Sequence, residues 1–130
     1  MALGMSATLR NARLDAITSA IGNAGKLKLY NGAQPATSGA ATTLLATLIL
    51  GSPPAPTAVS GTLTFTAIAD VTAVASSTCT WGRFTTSADA FVADCTAGTS
   101  GTDIIIAGSA TITSGQTVSV TAATITEGNP

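Results

Sequence analysis

The sequence predicts an all-β fold: a β-sandwich or jelly roll of about seven to nine short antiparallel strands, with one N-terminal amphipathic helix. The first observation is composition, since Ala, Thr, Gly and Ser make up more than half of the 130 residues. The second is a series of short segments that alternate threonine with apolar residues, as half-buried strands do. The third is the set of turn signals between those segments, which favours antiparallel strands over a βαβ sheet.

The length fits a single domain with one ordinary hydrophobic core. Within it we expect an N-terminal helical arm over 1–24 and a β-sandwich domain over 25–130. Ser6 or Thr8 can cap the start of the helix, and Gly22 can end it. The helix has a narrow stripe of residues at helical spacing, so we expect it to lie on the sheet or on a neighbouring subunit. The stripe consists of Leu9, Arg13, Ala16, Ile17, Ala20 and Ile21.

The first strand signals lie directly after this helix. Residues 26–30 alternate lysine with apolar residues and end at Asn31-Gly32, a strong turn signal. Residues 44–50 form a continuous run that is apolar except for Thr47, which is typical of a strand covered on both faces.

The remaining chain alternates strand patterns with turns. The proline-rich segment 52–60 is expected to stay outside any central ladder, because proline lacks a backbone N–H. In the last segment, 117–126, Ile125 falls out of phase with Val118 and Val120, so we expect a bulge near residues 122–123. Further strands are expected at 61–67, 71–75, 78–85, 91–95, 104–106 and 110–113.

Charge is sparse and unevenly placed. Only 8% of the residues are charged, against about a quarter in a typical soluble domain. Between Leu29 and Gly82 the sole charged side chain is Asp70. A free monomer normally carries a mixed charged surface, so we expect much of this chain to be covered by other protein. The alternative is a threonine-rich free monomer. The candidate basic docking residues are Arg10, Arg13, Lys26 and Lys28.

The composition argues against an enzyme. Histidine is absent, which removes Ser-His-Asp and Cys-His catalysis and every His-containing zinc site. Residues 22–27 lack the spacing of a phosphate loop. Asp89 and Asp94 do not fit a calcium loop, and we expect them to be solvated turn residues. We therefore expect no catalytic residue, cofactor or metal, and the formal net charge of −1 argues against nucleic acid as a partner.

The two cysteines and the apolar segments indicate the cellular compartment in which the protein is made. Cys79 and Cys95 could form a disulfide, but buried or half-buried free thiols in a reducing compartment are favoured. The N-terminus lacks the features of a signal peptide. The apolar run 44–50 is far shorter than the ~20 residues of a membrane-spanning helix. We expect a protein made in the cytoplasm with no membrane partner.

Trp81 is open to two functional interpretations and one structural interpretation. It could be a platform for glycan stacking or an interface anchor. A core tryptophan between two sheets is the favoured alternative. Arg83 lies on the same strand face by parity and could pair with an acidic neighbour.

Several segments together resemble a known family. They are residues 6–17, 25–32, 35–37, 41–45, the strand with Thr80-Trp81, and 115–120. They span nearly the whole chain and resemble a small family found in the structural modules of tailed bacteriophages and in prophages. Within those modules the chain is most similar to head decoration (cement) proteins.

The resemblance implies a structural virion protein on the outer surface of the phage head. Its expected partners are the major capsid protein and itself, as a homodimer or homotrimer, and its expected role is to stabilise contacts between capsid subunits. The family has no catalytic residues to carry over. The alternative is a tail or fibre module that binds a host surface glycan through Trp81 and the loops at 31–40 and 86–103.

Overall fold

The computed structural model describes residues 4–126, which are mostly β-structure preceded by one helix. The helix α1 spans Ala7–Ile21. The strands are β1 (Lys26–Asn31), β2 (Leu44–Ile49), β3 (Thr62–Thr64), β4 (Val71–Thr72), β5 (Ser77–Thr85), β6 (Phe91–Gly98), β7 (Ile104–Ile106), β8 (Thr111–Ile112), β9 (Thr117–Val118) and β10 (Val120–Thr126). The β-rich class and the single N-terminal helix are therefore confirmed.

Helix α1 begins and ends at the predicted residues. The Ser6 hydroxyl accepts a hydrogen bond from the Leu9 N–H at 3.1 Å, which satisfies one of the free donors of the first turn. Gly22 adopts a φ of 72° and donates its N–H to the Thr18 carbonyl at 3.1 Å. A left-handed conformation of this kind suits glycine at a helix end.

The buried face of α1 differs from the predicted stripe. Leu14 and Ile21 are buried, and Ile17 packs against the same apolar cluster. These residues are spaced i, i+3 and i+7, so they form one helical face. Leu9, which the predicted stripe included, is 48% exposed. That part of the prediction is wrong because the helix meets the sheet through the face centred on Leu14.

The helix is also tied to the sheet region by polar contacts. The Asp15 carboxylate accepts a hydrogen bond from the Ala58 N–H at 2.7 Å, and the Asn11 amide oxygen accepts one from the Gly61 N–H at 2.9 Å. Since its apolar face joins the same cluster as strand residues, α1 lies on the sheet of its own chain.

The strands form one curled mixed sheet and a small ribbon. The sheet has the order β2-β1-β5-β6-β7-β10-β3, with β8 paired to β5, and β4 pairs with β9 in the ribbon. The expectation of purely antiparallel strands is wrong, because β6 and β7 run parallel with Ala97 opposite Ile104. A two-sheet sandwich or jelly roll is not confirmed by this arrangement.

The connection between β6 and β7 is short for a parallel pair, which usually needs a longer crossover, and hydrogen bonds hold it in place. The Asp103 carboxylate accepts hydrogen bonds from the N–H and the hydroxyl of Thr96, both at 3.1 Å. The Asp103 N–H in turn donates to the Thr96 hydroxyl. These contacts hold the loop so that β7 re-enters beside β6 in the same direction.

The curl of the sheet encloses the apolar core. Leu27, Leu29 and Phe84 point to its inner side and are fully buried. Phe65, which follows the edge strand β3, stacks on Phe84 of the central strand β5 with ring centroids 4.7 Å apart. This contact joins two parts of the sheet that three strands, β6, β7 and β10, separate in the strand order.

Three local expectations can be compared directly with the structure. Residues 52–60 stay outside the ladders apart from an isolated bridge between Val59 and Thr62, as predicted. The pairing of β10 shifts register between Val120 and Ala122, next to the predicted bulge. Strand β2 was expected to be covered on both faces, but Ile49 is 53% exposed, so one face is covered only in part; the strand also lies at an edge of the sheet.

Candidate functional site: the outer face of the sheet

One side of β1, β5 and β6 carries most of the residues that the sequence singles out. Alternation along β1 places Leu27 and Leu29 in the core, so its lysines point to the opposite side. Direct cross-strand partners share a side, and β5 is paired with both β1 and β6. We call this side the outer face. It carries Lys26, Lys28, Tyr30, Trp81, Arg83 and Asp94.

Aromatic rings and one guanidinium form a stack on the outer face. The rings of Tyr30 and Trp81 lie 4.5 Å apart at an interplanar angle of 18°. The Arg83 guanidinium lies 5.3 Å from the Trp81 ring centre and 5.0 Å from that of Phe91. Contacts of this kind add attraction between the cation and the aromatic rings. The stack therefore joins strands β1, β5 and β6.

The long loop between β1 and β2 covers Trp81. The indole N–H donates to the Asn31 carbonyl at 2.9 Å and to the Thr42 hydroxyl at 3.2 Å. The Thr42 hydroxyl also donates to the Asn31 carbonyl. Trp81 is fully buried, although it does not belong to the apolar core cluster. Its ring is thus closed off from a flat ligand in this conformation, and its role as an interface anchor stays a prediction.

A partly buried ion pair lies at the centre of the outer face. Arg83 Nε lies 2.7 Å from Asp94 Oδ1, and Arg83 Nη2 lies 3.1 Å from Asp94 Oδ2. Arg83 Nη2 also donates to the Gly39 carbonyl at 2.9 Å, so the pair holds the β1–β2 loop. The hydrogen bond that Arg83 donates to Asp94 raises the pKa of the guanidinium above its ordinary value. Two parallel bonds of this type give strong, directional pairing.

The structure corrects the expectation for Asp94. Its side chain is only 5% exposed, whereas a solvated turn residue was expected. The reason is register: Asp94 lies within β6 directly opposite Arg83, so the two side chains meet on one side of the sheet.

Asp89 lies in the turn between β5 and β6, as predicted, but it is ion-paired. Its carboxylate is 2.9 Å from Lys26 Nζ and 2.8 Å from Lys28 Nζ. Hydrogen bonds from Lys28 and then Lys26 lower the pKa of Asp89 to about 2. The three side chains form a surface triplet with one net positive charge, which lies beside the partly buried Arg83–Asp94 pair.

The four predicted docking cations do not form one patch. Lys26 and Lys28 lie together on the outer face, around Asp89. Arg10 and Arg13 lie on α1, which packs against the inner side of the sheet. The Arg13 guanidinium also contacts the Met5 sulfur at 2.9 Å. The structure therefore divides the predicted basic surface into two separate pairs.

A shallow cavity of about 270 Å³ opens beside the ion pair. The β1–β2 loop and β6 form its two walls, so it lies between the two loop regions named in the glycan alternative. It combines an aromatic ring, an amide, a hydroxyl and a carboxylate. It is lined by Gln34, Pro35, Thr37, Phe91, Val92, Ala93 and Asp94.

Both cysteines are free and buried. Burial raises the pKa of the Cys79 thiol to about 11, and burial is also the main cause that raises the pKa of the Cys95 thiol. The thiolate is the reactive form, so neither thiol is suited to nucleophilic chemistry. The favoured interpretation, two free thiols, is confirmed.

Among residues 4–126, no group of three or more His, Cys, Asp or Glu side chains is placed to hold a metal ion. Over the same residues, no helix combines the length and the apolar character needed to cross a bilayer.

Sequence reasoning missed three members of the outer face. Tyr30 and Phe91 were not assigned to the site, although Tyr30 shares the alternation of the two lysines. The contacts of Asp94 depend on the β5–β6 register, which the sequence does not fix.

Comparisons with protein-family models, with curated proteins and with solved structures find no match to this chain.

Proposed function

We propose that this chain is a structural component of a tailed-phage virion: a decoration protein that binds the outer surface of the head. There it would bind the major capsid protein and stabilise contacts between its subunits. The proposal rests on the resemblance described above and on one physical observation, the shortage of charge available to solvent. It needs a compact β body, and a sandwich or a curled sheet would serve equally well.

Most charged side chains of this chain are used within it. Lysine and arginine side chains form ion pairs with aspartates, and other aspartates accept hydrogen bonds from backbone N–H groups. The remaining surface is dominated by threonine, serine, alanine and glycine. A surface of this type supports protein contact better than it keeps a free monomer dispersed. The charged side chains with such internal contacts are Asp15, Lys26, Lys28, Arg83, Asp89, Asp94 and Asp103.

Burial of weakly charged surface would supply the binding energy. About 25 cal/mol is gained per Å² of apolar area removed from water. A few hundred Å² per copy is therefore worth several kcal/mol before the cost of association. Many copies, each touching neighbouring capsid subunits, would together oppose expansion of the shell.

The outer face is our candidate for the docking surface. It carries Lys26 and Lys28 around one carboxylate, and Ile49 of β2 lies directly opposite Lys26 with 53% of its surface exposed. An apolar residue beside a net positive triplet would suit an acidic patch with an apolar centre. The helix cations Arg10 and Arg13 offer the competing surface.

The separation of the two cation pairs allows a decisive binding experiment. Two double variants are compared by co-sedimentation with empty capsids of the phage that encodes the chain. The first carries Lys26→Glu and Lys28→Glu, and the second carries Arg10→Glu and Arg13→Glu. We expect the first variant to lose binding and the second to retain it. Loss only in the helix variant would move docking to α1, and equal binding by both would remove the electrostatic docking model.

Cryo-electron microscopy of virions tests the location itself. Density for the chain repeated over the whole shell supports a decoration protein. Density confined to the tail supports the alternative, and absence of the chain from virions contradicts both.

The cavity beside Asp94 keeps the glycan alternative open as a second candidate. Phe91 offers an apolar ring, and Gln34 and Thr37 offer hydrogen-bonding groups of the kind that bind sugar hydroxyls. The buried Trp81 does not contribute a platform in this conformation. A glycan array with the wild type and a Phe91→Ala variant tests this candidate, which requires binding by the wild type alone.

A further inference from the structure

We propose that two copies of this chain pair through the open edge of β2, with the two strands antiparallel across a two-fold axis near Leu48. The pairing concerns the edge of the sheet and does not depend on capsid binding. Three observations support it: the unusual composition of this edge, its unpaired backbone groups, and the contrast with the opposite edge of the same sheet.

Strand β2 has the composition of an interior strand but lies at an edge. Its six residues read LLATLI, without a charge or a proline. Natural proteins protect edge strands with charged residues, prolines, bulges or covering segments, because an open edge invites pairing with another chain. A continuous apolar run is typical of a strand covered on both faces. In the single chain Ile49 is nevertheless 53% exposed.

The backbone groups of Thr47 and Ile49 point away from the sheet. Leu50 donates its N–H to Gly25 beside β1, whereas the Leu45 carbonyl accepts from Val74 on the other side. Backbone groups alternate in direction along a strand, so Thr47 and Ile49 point to the same side as Leu45. Among the hydrogen bonds of residues 4–126, none engages Thr47 or Ile49 on that side.

The opposite edge of the sheet is covered by the chain itself. At β3, Thr62 exchanges backbone hydrogen bonds with Val59, at 2.9 and 3.0 Å. Directly after β3, the Thr66 N–H donates to the Pro54 carbonyl at 3.0 Å. The excursion 52–60 thus protects β3. Beside β2, strand β4 lies close by, but among residues 4–126 the one hydrogen bond to the outer side of β2 is that from the Val74 N–H to the Leu45 carbonyl.

These contacts select the register of the pair. Val74 occupies the outer side of Leu45, so a partner strand must stay near Thr47 and Ile49. A two-fold axis at Leu48 places Thr47 of each copy opposite Ile49 of the other. In an antiparallel ladder each such pair exchanges two N–H to C=O hydrogen bonds. The partner strand would then leave the edge at Gly51, where the chain turns out of β2.

A second copy suits this edge better than a charged partner. The pairing places Thr47 opposite Ile49 and Leu48 opposite the same residue of the second copy, so no like charges oppose each other. Val74, which is 65% exposed beside the same edge, adds apolar surface near the contact. A pair of this kind is isologous and closes at two copies.

The first test is the solution mass of the full chain as a function of concentration, measured by size-exclusion chromatography with light scattering. We expect the mass to rise from that of one 12.6 kDa chain to twice that value. A single-chain mass at all concentrations up to about 1 mM overturns the proposal. A trimer also overturns it, because a two-fold strand pair cannot close a ring of three.

Variants at the two edges supply matched controls. Thr47→Pro removes an outward N–H and leaves the β1–β2 hydrogen bonds intact. Thr47→Glu places one carboxylate of each copy near the two-fold axis, and within its own chain this carboxylate lies opposite Lys28. We expect both variants to keep the strand content of the wild type by circular dichroism and to halve the mass. Thr64→Pro and Thr64→Glu, at the protected edge, should remain dimeric. A dimer that survives both Thr47 changes contradicts the proposal.

Amide hydrogen exchange reads the contact directly. We expect the Thr47 and Ile49 amides to exchange more slowly as the concentration of the wild type rises, and this dependence to disappear in Thr47→Glu for the Ile49 amide. A dimer whose Thr47 and Ile49 amides exchange at the same rate as in the monomer contradicts pairing at this edge. Failure to bind capsids would remove the proposed function and leave these results unchanged.

Discussion

On one side of β1 and β5, apolar side chains pack into the core of the curled sheet. On the other side, the same two strands carry Lys28, Trp81 and Arg83 in hydrogen bonds, ring stacks and ion pairs. The inner side needs only apolar residues of suitable size, because the hydrophobic effect is non-directional. The outer face needs particular partners in a particular register, because hydrogen bonds and ion pairs depend on geometry. The comparison indicates that the inner side stabilises the fold and that the outer face fixes the β1–β2 loop.

The largest effect is expected from a change on the inner side. Phe84→Ala removes a fully buried ring that stacks on Phe65, so we expect a loss of about 4 kcal/mol in the free energy of unfolding. Urea denaturation measures it, with Phe84→Leu as a control that should lose much less. A loss below about 1 kcal/mol for the alanine variant would show that the core does not depend on this stack.

Breaking the partly buried ion pair should have the next largest effect. Asp94→Ala leaves the Arg83 guanidinium without its carboxylate in a half-buried position, so we expect a loss of about 2 kcal/mol. A double-mutant cycle with Arg83→Ala is the control, because the double variant should lose less than the sum of the single losses. We also expect faster amide exchange in residues 32–43. Additive losses would contradict the paired arrangement.

Removal of the indole N–H should have a smaller effect. Trp81→Phe keeps a ring against Tyr30 but removes the donor to the Asn31 carbonyl and the Thr42 hydroxyl, so we expect a loss of about 1.5 kcal/mol. The matched control is Tyr30→Phe, which changes the other ring of the stack without touching those hydrogen bonds. Loop 32–43 should exchange faster only in the Trp81 variant. Equal exchange in both variants would mean that the indole does not hold the loop.

The smallest effect concerns the surface triplet and is seen in the pH dependence. The folded-state pKa of Asp89 is lowered to about 2 from an ordinary value of 3.8, so its stabilising contribution is present above pH 4. The contribution is lost as the pH falls from about 4 through about 2. Thermal unfolding of Asp89→Asn should show a weaker acid dependence than the wild type in this window. Asp70→Asn, which removes an exposed carboxylate elsewhere, should keep the wild-type dependence; identical curves for Asp89→Asn would contradict the triplet.

The sequence predicted the features that depend on neighbouring residues. Ser6 and Gly22 bound the helix because capping chemistry acts within one turn. The lysine–leucine alternation of β1 assigned its two sides correctly, since a period of two places successive side chains on opposite faces. The register shift in β10 followed from apolar residues that change phase.

Features that depend on distant contacts could not be predicted in the same way. Asp94 gives no local signal for burial, because its burial follows from pairing with Arg83 across β5 and β6. The parallel β6–β7 pair involves hydrogen bonds between Asp103 of the connecting loop and Thr96 of β6. The division of the four cations between two surfaces depends on where α1 packs.

We propose that the weakly charged surface of this chain binds a phage head. The most direct measurement separates heads from tails of purified virions and quantifies the chain against the major capsid protein in each fraction by mass spectrometry. We predict that the chain is found in the head fraction at a constant ratio to the capsid protein. Recovery only with the tails, or in neither fraction, would contradict binding of the chain to the head.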